Sequence, residues 1–391
     1  MPVIVLTGAR QVGKSTLLKH LLPQTELIVF DPLMDSGNAR QDPELFLDQL
    51  KLPVILDEIQ YVPELLPVIK RRVDLSKKPG EYWLTGSQNL NVLKNVSESL
   101  AGRAALLSLY PMNFSERYDD ASAWIPRFFQ DPTTFLTQPV KKSNTTNTLT
   151  SVIWKGGYPG LIPLAEELYV DVLGSYFSTY IERDLRLISE ISDFQDFSRF
   201  VQLLANLTAQ EINFSELGRE VGIAPKTAQR WLNILNSTYQ WIELPAYSGN
   251  TLKRISEKHK GYFIDTGMAC YLMHISTPQA VLGHPKLGAL FETYVVNNIL
   301  TQLPLLRGKP AVYHWRTHSG AEVDLLIEMD NIYYPIEIKC KTRPSRADIS
   351  GIKALRETYP NLNFAPALII CAVNQIQDLG NDCYAVPFDM L

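Results

Sequence analysis

The segment GARQVGKST, at residues 8–16, has the residue types and spacing of a loop that binds a chain of phosphates. It follows the apolar run VIVLT at residues 3–7 and precedes a stretch with helical spacing of apolar residues. Glycines let backbone N–H groups close around an anion, and the N-terminus of the following helix adds partial positive charge. The predicted triphosphate site comprises Gly8, Ala9, Arg10, Gln11, Val12, Gly13, Lys14, Ser15 and Thr16.

Four side chains have separate roles in this prediction. Lys14 would contact the β- and γ-phosphates of ATP, and Ser15 would ligate Mg²⁺. A second apolar run, PVIL, ends in Asp57 and Glu58. Since ligands of open parallel sheets bind at the carboxyl ends of the strands, Asp57 is expected to hold Mg²⁺ and Glu58 to orient and polarise the attacking water. The predicted cofactors are therefore ATP and Mg²⁺, and the predicted catalytic residues of hydrolysis are Lys14 and Glu58.

Two further residues are candidates for contact with the nucleotide. Ser87 follows the apolar run YWLTG and would detect the γ-phosphate, or would instead cap a helix. Arg103 would stabilise the charge of the transition state as an arginine finger, or would form a surface ion pair. The sequence leaves both alternatives open.

Six motifs, TGARQVGKSTLL, ILDEIQ, LTGSQ, SLAGR, GGYP and YIERDLR, occur in this order along the chain. In that order they resemble the motifs of bacterial and archaeal AAA+-type ATPases that carry a C-terminal domain of unknown function. The resemblance extends over essentially the whole chain. It implies that the strands bearing the Walker B and sensor residues lie beside the Walker A strand of an ATPase sheet.

The predicted fold class is α/β, with four folded segments and one linker or irregular segment along the chain. Residues 1–118 alternate strand-like and helix-like runs, which predicts an AAA+-like P-loop domain around a parallel sheet. Residues 119–150 are polar and are expected to form a linker or an irregular excursion. Residues 151–210 are expected to be helical, and the charges at 183–186 lie largely off the apolar helix face, where solvated charge is the expected role.

Residues 211–280 have the pattern of a winged helix-turn-helix. Asn213 is a helix cap, Gly222 ends a first helix, and Pro225 suits the first turn of a second one, after which two strand-like runs follow. The exposed side of the second helix would present Lys226, Gln229 and Arg230 to DNA. The alternative is that this module packs only against its neighbours.

Residues 281–391 have the order helix, three strands, helix, strand, which resembles the restriction-endonuclease-like fold with its PD-(D/E)xK motif. The matching residues are Asp324, followed by Glu337 and Lys339. If Asp330-Asn331 is the two-residue turn of a hairpin, Asp324 lies opposite Glu337. Two opposed carboxylates are destabilising without a cation between them, so a divalent metal is expected there.

Glu292, on the preceding helix, is the candidate third carboxylate of this metal site. In an active nuclease the metal would activate water, while Lys339 would orient or deprotonate the nucleophile. In the alternative, the domain is an inactive relic in which Lys339 only neutralises the carboxylates. Cleavage therefore depends on whether Asp324, Glu337 and Glu292 hold a metal.

The bulk properties restrict the possible partners. The chain has 391 residues and a net charge of −4, so nucleic acid would have to bind at local basic patches and not through a global positive field. It contains no apolar run of 18 residues, which predicts a cytoplasmic protein without a membrane span. The leading hypothesis is an ATPase that couples nucleotide state to nucleic-acid binding or cleavage. The second is an ATP-dependent switch that regulates protein partners and cuts nothing.

Overall fold

The computed structural model describes residues 1–31, 37–86, 100–118, 123–138, 145–179, 191, 193–249 and 258–390. These residues divide into two compact units. Unit 1 comprises Met1–Pro111 with Asn233–Gln240, and unit 2 comprises Met112–Leu232 with Trp241–Leu391. The finer division at residues 118, 150, 210 and 280 stays a prediction. No helix in the described ranges combines the length and the apolar character that a bilayer crossing requires.

Unit 1 is built around a parallel five-stranded sheet, as its alternating apolar runs predict. The elements are β1 (Val3–Thr7), α1 (Lys14–Leu21), β2 (Glu26–Val29), α2 (Gly37–Gln41), α3 (Pro43–Asp48), β3 (Val54–Asp57), α4 (Leu65–Ser76), β4 (Tyr82–Gly86) and β5 (Ala104–Ser108). The strand order is β2-β3-β4-β1-β5, with every pair parallel. Strands β3, β4 and β1 are neighbours and run in the same direction. Their carboxyl ends, at Asp57, Gly86 and Thr7, therefore lie at one edge of the sheet.

Helix α4 packs against the sheet of unit 1 through one apolar face. Its apolar residues recur at three- and four-residue spacing, which gives one buried face. That face packs in a core with the side chains of β1, β3 and β4, whose short apolar runs are covered on both sides. The buried residues of α4 are Leu65, Leu66, Val68, Ile69 and Val73.

Unit 2 begins with helices. They are α5 (Phe114–Arg117), α6 (Trp124–Gln130), α7 (Pro132–Thr137), α8 (Thr145–Lys155), α9 (Glu166–Thr179) and α10 (Phe194–Asn206). The expectation of irregular structure at 119–150 is therefore wrong for α6, for α7 and for residues 145–150, which belong to α8. Asp131 caps α7, and the aromatic rings of Trp124, Phe128 and Phe135 pack together in the interior, so local capping and burial outweigh the polar composition around them. The charged stretch at 183–186 lies outside the described residues.

A pair of helices and a small antiparallel sheet follow. The elements are β6 (Gln210–Glu211), α11 (Phe214–Val221), α12 (Pro225–Ser237), β7 (Trp241–Leu244) and β8 (Lys260–Phe263), with strand order β6-β8-β7. The local predictions are confirmed: Asn213 caps α11, Gly222 ends it with a φ of 86°, and Pro225 is the first residue of α12. Residues 233–237 of α12 are grouped with unit 1.

The C-terminal part of unit 2 contains a larger mixed sheet. Its elements are α13 (Thr266–Leu272), α14 (Pro278–Leu282), α15 (Leu287–Gln302), β9 (Ala311–Arg316), β10 (Glu322–Met329), β11 (Ile332–Lys339), α16 (Ser350–Thr358), β12 (Asn363–Phe364), β13 (Ala367–Cys371), β14 (Gln377–Asp378) and β15 (Cys383–Pro387). The path through the sheet is β14-β15-β13-β11-β10-β9, with β12 beside β11. The predicted order of helix, three strands, helix and strand is present.

The predicted hairpin between β10 and β11 is confirmed. Asp330 and Asn331 both have positive φ, of 53° and 61°, which a two-residue turn of the primed type requires. The pairing runs from Met329 opposite Ile332 to Leu325 opposite Ile336, which is the predicted register. The next residue, Asp324, accepts the Ile338 N–H with its side chain at 2.9 Å.

The GGYP motif surrounds a buried carboxylate. Asp265 accepts the backbone N–H of Gly157 at 2.6 Å and caps α13 through the N–H of Met268 at 2.8 Å. Gly156 has a φ of 62°, and a Cβ there would lie 2.4 Å from the Asp265 carboxylate oxygens. Burial raises the pKa of Asp265 to about 6, although these N–H groups act to lower it.

This buried carboxylate makes stability depend on pH. The folded pKa of about 6 exceeds the ordinary value of 3.8, so the contribution of Asp265 is fully present below about pH 4 and is lost as the pH rises through 6. The expected slope of the unfolding free energy approaches about 1.4 kcal/mol per pH unit between those values. Urea unfolding of wild type and Asp265→Asn measures this across the pH range. The difference in unfolding free energy between the two proteins should change with pH by the expected slope. Parallel curves would contradict the assignment.

Candidate functional site

The loop between β1 and α1 has the backbone that a phosphate cradle requires. A Cβ on Gly8, whose φ is 148°, would lie 2.1 Å from the carbonyl oxygen of Leu109, so only glycine fits. Gly13 has a φ of 93° and stands at the N-terminus of α1, where unpaired N–H groups favour an anion. The predicted loop therefore has the geometry that its glycines indicated.

Lys14 lies inside this loop. Its Nζ donates to the carbonyl oxygens of Gly8 and Ala9, at 3.0 and 2.8 Å, and the residue is only 5% exposed. These are bonds to neutral acceptors, and a phosphate oxygen would offer the ammonium a charged one. The Lys14 ammonium therefore lies where phosphate oxygens of a bound triphosphate would replace the two loop carbonyls as its hydrogen-bond acceptors.

The Mg²⁺ candidates Ser15 and Asp57 are in direct contact. The Ser15 hydroxyl donates to Asp57 Oδ2 at 2.6 Å, across 42 residues of sequence. A hydroxyl and a carboxylate beside the phosphate loop provide the oxygen ligands that Mg²⁺ prefers. The residues present therefore fit an Mg²⁺ ion bound with the nucleotide, and Ser15 and Asp57 would hold it.

Glu58 lies at the same edge of the sheet in a left-handed conformation, with a φ of 59°. Its carboxylate accepts a hydrogen bond from the Gln60 amide, and its backbone N–H donates to the hydroxyl of Thr85 at 3.1 Å. The Thr85 hydroxyl in turn donates to Asp57. Thr85 thus links the two acidic residues, a role that the sequence reasoning missed although its motif LTGSQ was recognised.

The Thr85 hydroxyl is expected to position the two acids for hydrolysis. Thr85→Val keeps the shape of the buried side chain but removes the donor to Asp57 and the acceptor for the Glu58 N–H. Loss of such an outer partner typically lowers activity or metal affinity about 10- to 100-fold, so ATP hydrolysis should fall by that factor. Steady-state phosphate release measures it, and Thr85→Ser should retain most of the rate. Equal rates in Thr85→Val and wild type would rule out this role.

Ser87 and Arg103 are the other two residues predicted to contact the nucleotide. Ser87 lies outside the described residues. Arg103 precedes β5, whose first residue pairs with Val3, so it lies at the amino edge of the sheet, roughly 16 Å along the strand from the loop. It forms an ion pair with Asp74, at 2.5 and 2.9 Å. The prediction that Arg103 contacts the nucleotide of its own chain is therefore wrong, and the surface ion pair is present.

Tyr239 is a second residue that sequence reasoning missed. Its hydroxyl donates to Thr7 Oγ1 at 2.7 Å, and Thr7 immediately precedes the phosphate loop. The two residues are separated by 232 positions but belong to the same compact unit. No local pattern marks this tyrosine, because the contact depends on tertiary structure alone.

The carboxylates predicted to hold a metal in the C-terminal part are paired with lysines. The Nζ of Lys260, on β8, lies 2.6 Å from Glu292 Oε1 and 3.0 Å from Asp324 Oδ1. Lys339 lies 2.5 Å from Glu337 Oε1. Within the described ranges no three histidine, cysteine or acidic side chains are grouped as metal ligands. The predicted metal site of Glu292, Asp324 and Glu337 is therefore not supported, since ammonium groups already stand against all three carboxylates.

Burial sets the proton affinities in this cluster. Burial and the neighbouring charge of Asp324 raise the pKa of Glu337 to about 8 and that of Glu292 to about 7. Burial acts to lower the pKa of Lys260, but the carboxylates of Glu292 and Asp324 outweigh it and raise that pKa above its ordinary value. Lys260 therefore stays charged between Glu292 and Asp324, and the Lys339 ammonium lies against Glu337.

The predicted DNA-contacting residues lie on the outside of α12. Lys226, Gln229 and Arg230 are exposed, whereas Ala228 and Trp231 are buried. The ring of Trp231 packs edge-on against two phenylalanines of α10, which fixes the inner face of the helix. The outer face is thus free of core packing in the described structure.

Comparison with known proteins finds three family models that match successive parts of the chain. Residues 1–118 match the model of an AAA domain, while residues 146–279 and 287–391 match two domains of unknown function, DUF8612 and DUF4143. Uncharacterized proteins of Mycobacterium tuberculosis and Mycobacterium bovis are each 29% identical over 393 aligned residues, covering 100% of this chain and 81% of the relative.

Among solved structures, a variant of Thermotoga maritima RuvB is 17% identical, with 63% of this chain and 83% of that chain covered and a TM-score of 0.31. A TM-score this low does not by itself establish a shared fold. Residues 1–118 of this chain match an AAA domain in sequence, and the described structure places Lys14, Ser15 and Asp57 together as in a P-loop nucleotide site.

Proposed function

We propose that this protein is an Mg²⁺-dependent ATPase whose nucleotide state controls binding of nucleic acid by the helix pair α11–α12, without cleavage by the C-terminal domain. The observation that carries the ATPase part is the meeting of Lys14, Ser15 and Asp57 at one edge of the parallel sheet. The nucleic-acid part rests on the outer face of α12.

In this proposal each residue of the nucleotide site has one task. The backbone of residues 8–13 encloses the phosphates, and Lys14 exchanges its carbonyl partners for phosphate oxygens. A bound Mg²⁺ would neutralise charge on the phosphates, with Ser15 and Asp57 as its protein ligands. Glu58 orients the attacking water and accepts its proton, once its carboxylate turns from the Gln60 amide.

The support for nucleic acid is chemical and local. Lys226 and Arg230 lie four residues apart and thus on one side of α12, where they would contact phosphate oxygens, and Gln229 would reach a base edge. The elements β6, α11, α12, β7 and β8 follow the order expected for a winged helix-turn-helix. The net charge of −4 excludes only a positive electrostatic field over the whole protein, and a local basic face on α12 can still attract nucleic acid.

A route from nucleotide to DNA would run through the end of α12. Tyr239 comes two residues after α12 and donates to Thr7, next to the phosphate loop. A shift of the loop on ATP binding would alter this hydrogen bond and the chain that follows α12. Nucleotide state would then change how firmly α12 is held for binding.

Fluorescence anisotropy with a labelled DNA duplex tests the nucleic-acid part. In a salt series with a non-hydrolysable ATP analogue and Mg²⁺, removing two phosphate contacts in the Lys226→Ala/Arg230→Ala variant should reduce the slope of log affinity against log salt by about 2. Lys309→Ala/Lys353→Ala removes two exposed charges elsewhere and should bind as wild type. Equal losses in both double variants would refute a specific face on α12.

The second candidate function is an ATP-dependent switch on protein partners. The net charge of −4 and the lysine-paired carboxylates of the C-terminal domain favour it over any nuclease. If the wild type binds no DNA at low salt in any nucleotide state, the nucleic-acid proposal is wrong and this alternative stands.

A further inference from the structure

The Lys260 ammonium occupies the position expected for a cation among the C-terminal carboxylates. It lies between Glu292 Oε1 and Asp324 Oδ1, at 2.6 and 3.0 Å, and the lysine is 9% exposed. Lys260 comes from β8, whereas the two acids come from α15 and β10. A residue distant in sequence thus supplies the positive charge that the opposed acids require.

The remaining hydrogen bonds orient these acids toward the ammonium. The Tyr262 hydroxyl donates to Glu292 Oε1 at 2.8 Å, and the Ile338 N–H donates to Asp324 Oδ2 at 2.9 Å. Asp324 is 2% exposed, so its carboxylate has little access to water. Each acid thus has an orienting hydrogen bond of the kind that metal ligands usually have, but the group between the two acids is a lysine.

One acceptor in the cluster is unused. Glu337 Oε2 is buried and has no hydrogen-bond partner among the described residues, although Oε1 of the same group meets Lys339. Glu337 is 4% exposed and feels the charge of Asp324. Glu337 Oε2 is therefore a buried acceptor without a hydrogen-bond partner in the described part of the chain, next to the charge of Asp324.

A polar cleft reaches one side of this cluster, at Lys260 and Glu292, and neither Asp324 nor Glu337 lines it. Lys260 and Glu292 line a polar cleft of about 470 Å³, which Glu211, Glu322 and the exposed Lys258 also border. The cleft would therefore admit a hydrated divalent cation if the ammonium were absent.

We propose that Lys260 is a built-in cation that takes the place of a divalent metal between Asp324 and Glu292, so that these two acids can bind a metal ion only when the ammonium is removed. The inference stands on the contacts of these residues and does not depend on the ATPase or DNA-binding proposals. It explains how the carboxylates of Asp324 and Glu292 can lie close together, because the ammonium between them offsets their repulsion.

Mn²⁺ binding to the full chain without nucleotide tests the proposal, with free Mn²⁺ measured by electron paramagnetic resonance. Lys260→Ala should bind one more Mn²⁺ per chain than wild type, and adding Asp324→Asn to it should reduce that affinity at least about tenfold. Comparison within this series removes any contribution from the nucleotide site, which all variants share. Lys258→Ala, which removes the neighbouring exposed lysine, should bind Mn²⁺ as wild type does.

Two results would overturn the proposal. One is a folded Lys260→Ala protein that binds no more Mn²⁺ than wild type, and the other is wild-type binding that Asp324→Asn abolishes. If Lys260→Ala fails to fold without metal, refolding with and without Mn²⁺ decides the question. Recovery of the native far-ultraviolet dichroism and melting transition with Mn²⁺ supports a metal site at Asp324 and Glu292, and failure to recover refutes it.

Discussion

Lys14→Ala should lose ATP hydrolysis almost completely. Lys14 is the buried ammonium of the phosphate loop, and removing a donor aimed at developing charge typically lowers the rate about 10²- to 10³-fold. Affinity for ATP should also weaken, because a charge-assisted bond to the phosphates is lost. Phosphate release gives the rate, and titration with a fluorescent ATP analogue gives the affinity.

The control for this variant lies on the same helix. Lys19→Ala removes an exposed lysine of α1 with the same change of charge and should leave both quantities near wild type. Lys14→Ala also removes the donor to the Gly8 and Ala9 carbonyls, so its melting temperature must be compared with that of wild type. Wild-type hydrolysis by a folded Lys14→Ala protein would refute the assignment of this loop.

Glu58→Gln should separate binding from hydrolysis. The amide keeps the size of the side chain but cannot accept a proton from the attacking water, and loss of a general base typically lowers the rate about 10²- to 10⁴-fold. The phosphate loop, Ser15 and Asp57 are untouched, so ATP should bind about as tightly as before. Single-turnover hydrolysis and the same fluorescent titration measure the two effects.

Glu64→Gln is the matched control for Glu58→Gln. Glu64 is an exposed acid at the start of α4, and its substitution makes the same change of charge in the same segment. It should hydrolyse ATP at the wild-type rate. If Glu58→Gln loses affinity as much as rate, Glu58 supports the structure of the site and is not the base.

The parts of the nucleotide site that could be predicted are those with local signals. Gly8 and Gly13 mark backbone conformations that other residues avoid, and an apolar run predicts that Asp57 ends a strand. Asp330 and Asn331 similarly predicted the turn and register of β10 and β11. Each inference spans a few residues, over which sterics and hydrophobic periodicity act directly.

The errors arose where distant segments compete. The sequence predicts a metal site at Asp324, Glu337 and Glu292, because the hairpin brings acidic residues together and an unpaired buried charge is unfavourable. Lys260, 64 residues before Asp324, meets that electrostatic requirement instead of a metal. The motif around Arg103 does not show the direction of β5, and that direction puts Arg103 at the amino edge of the sheet.

The amino-acid sequence alone therefore determined the phosphate loop, its acidic partner and the alternation of strands and helices around the parallel sheet, because these follow from local backbone preference and apolar spacing. Only the tertiary structure decided that Thr85 joins Asp57 to Glu58, that Tyr239 meets Thr7, and that a lysine neutralises the C-terminal acids. The physical reason is the same for all three. Hydrogen bonds and ion pairs between distant segments form according to which side chains folding brings within about 3 Å, and no local pattern encodes that choice.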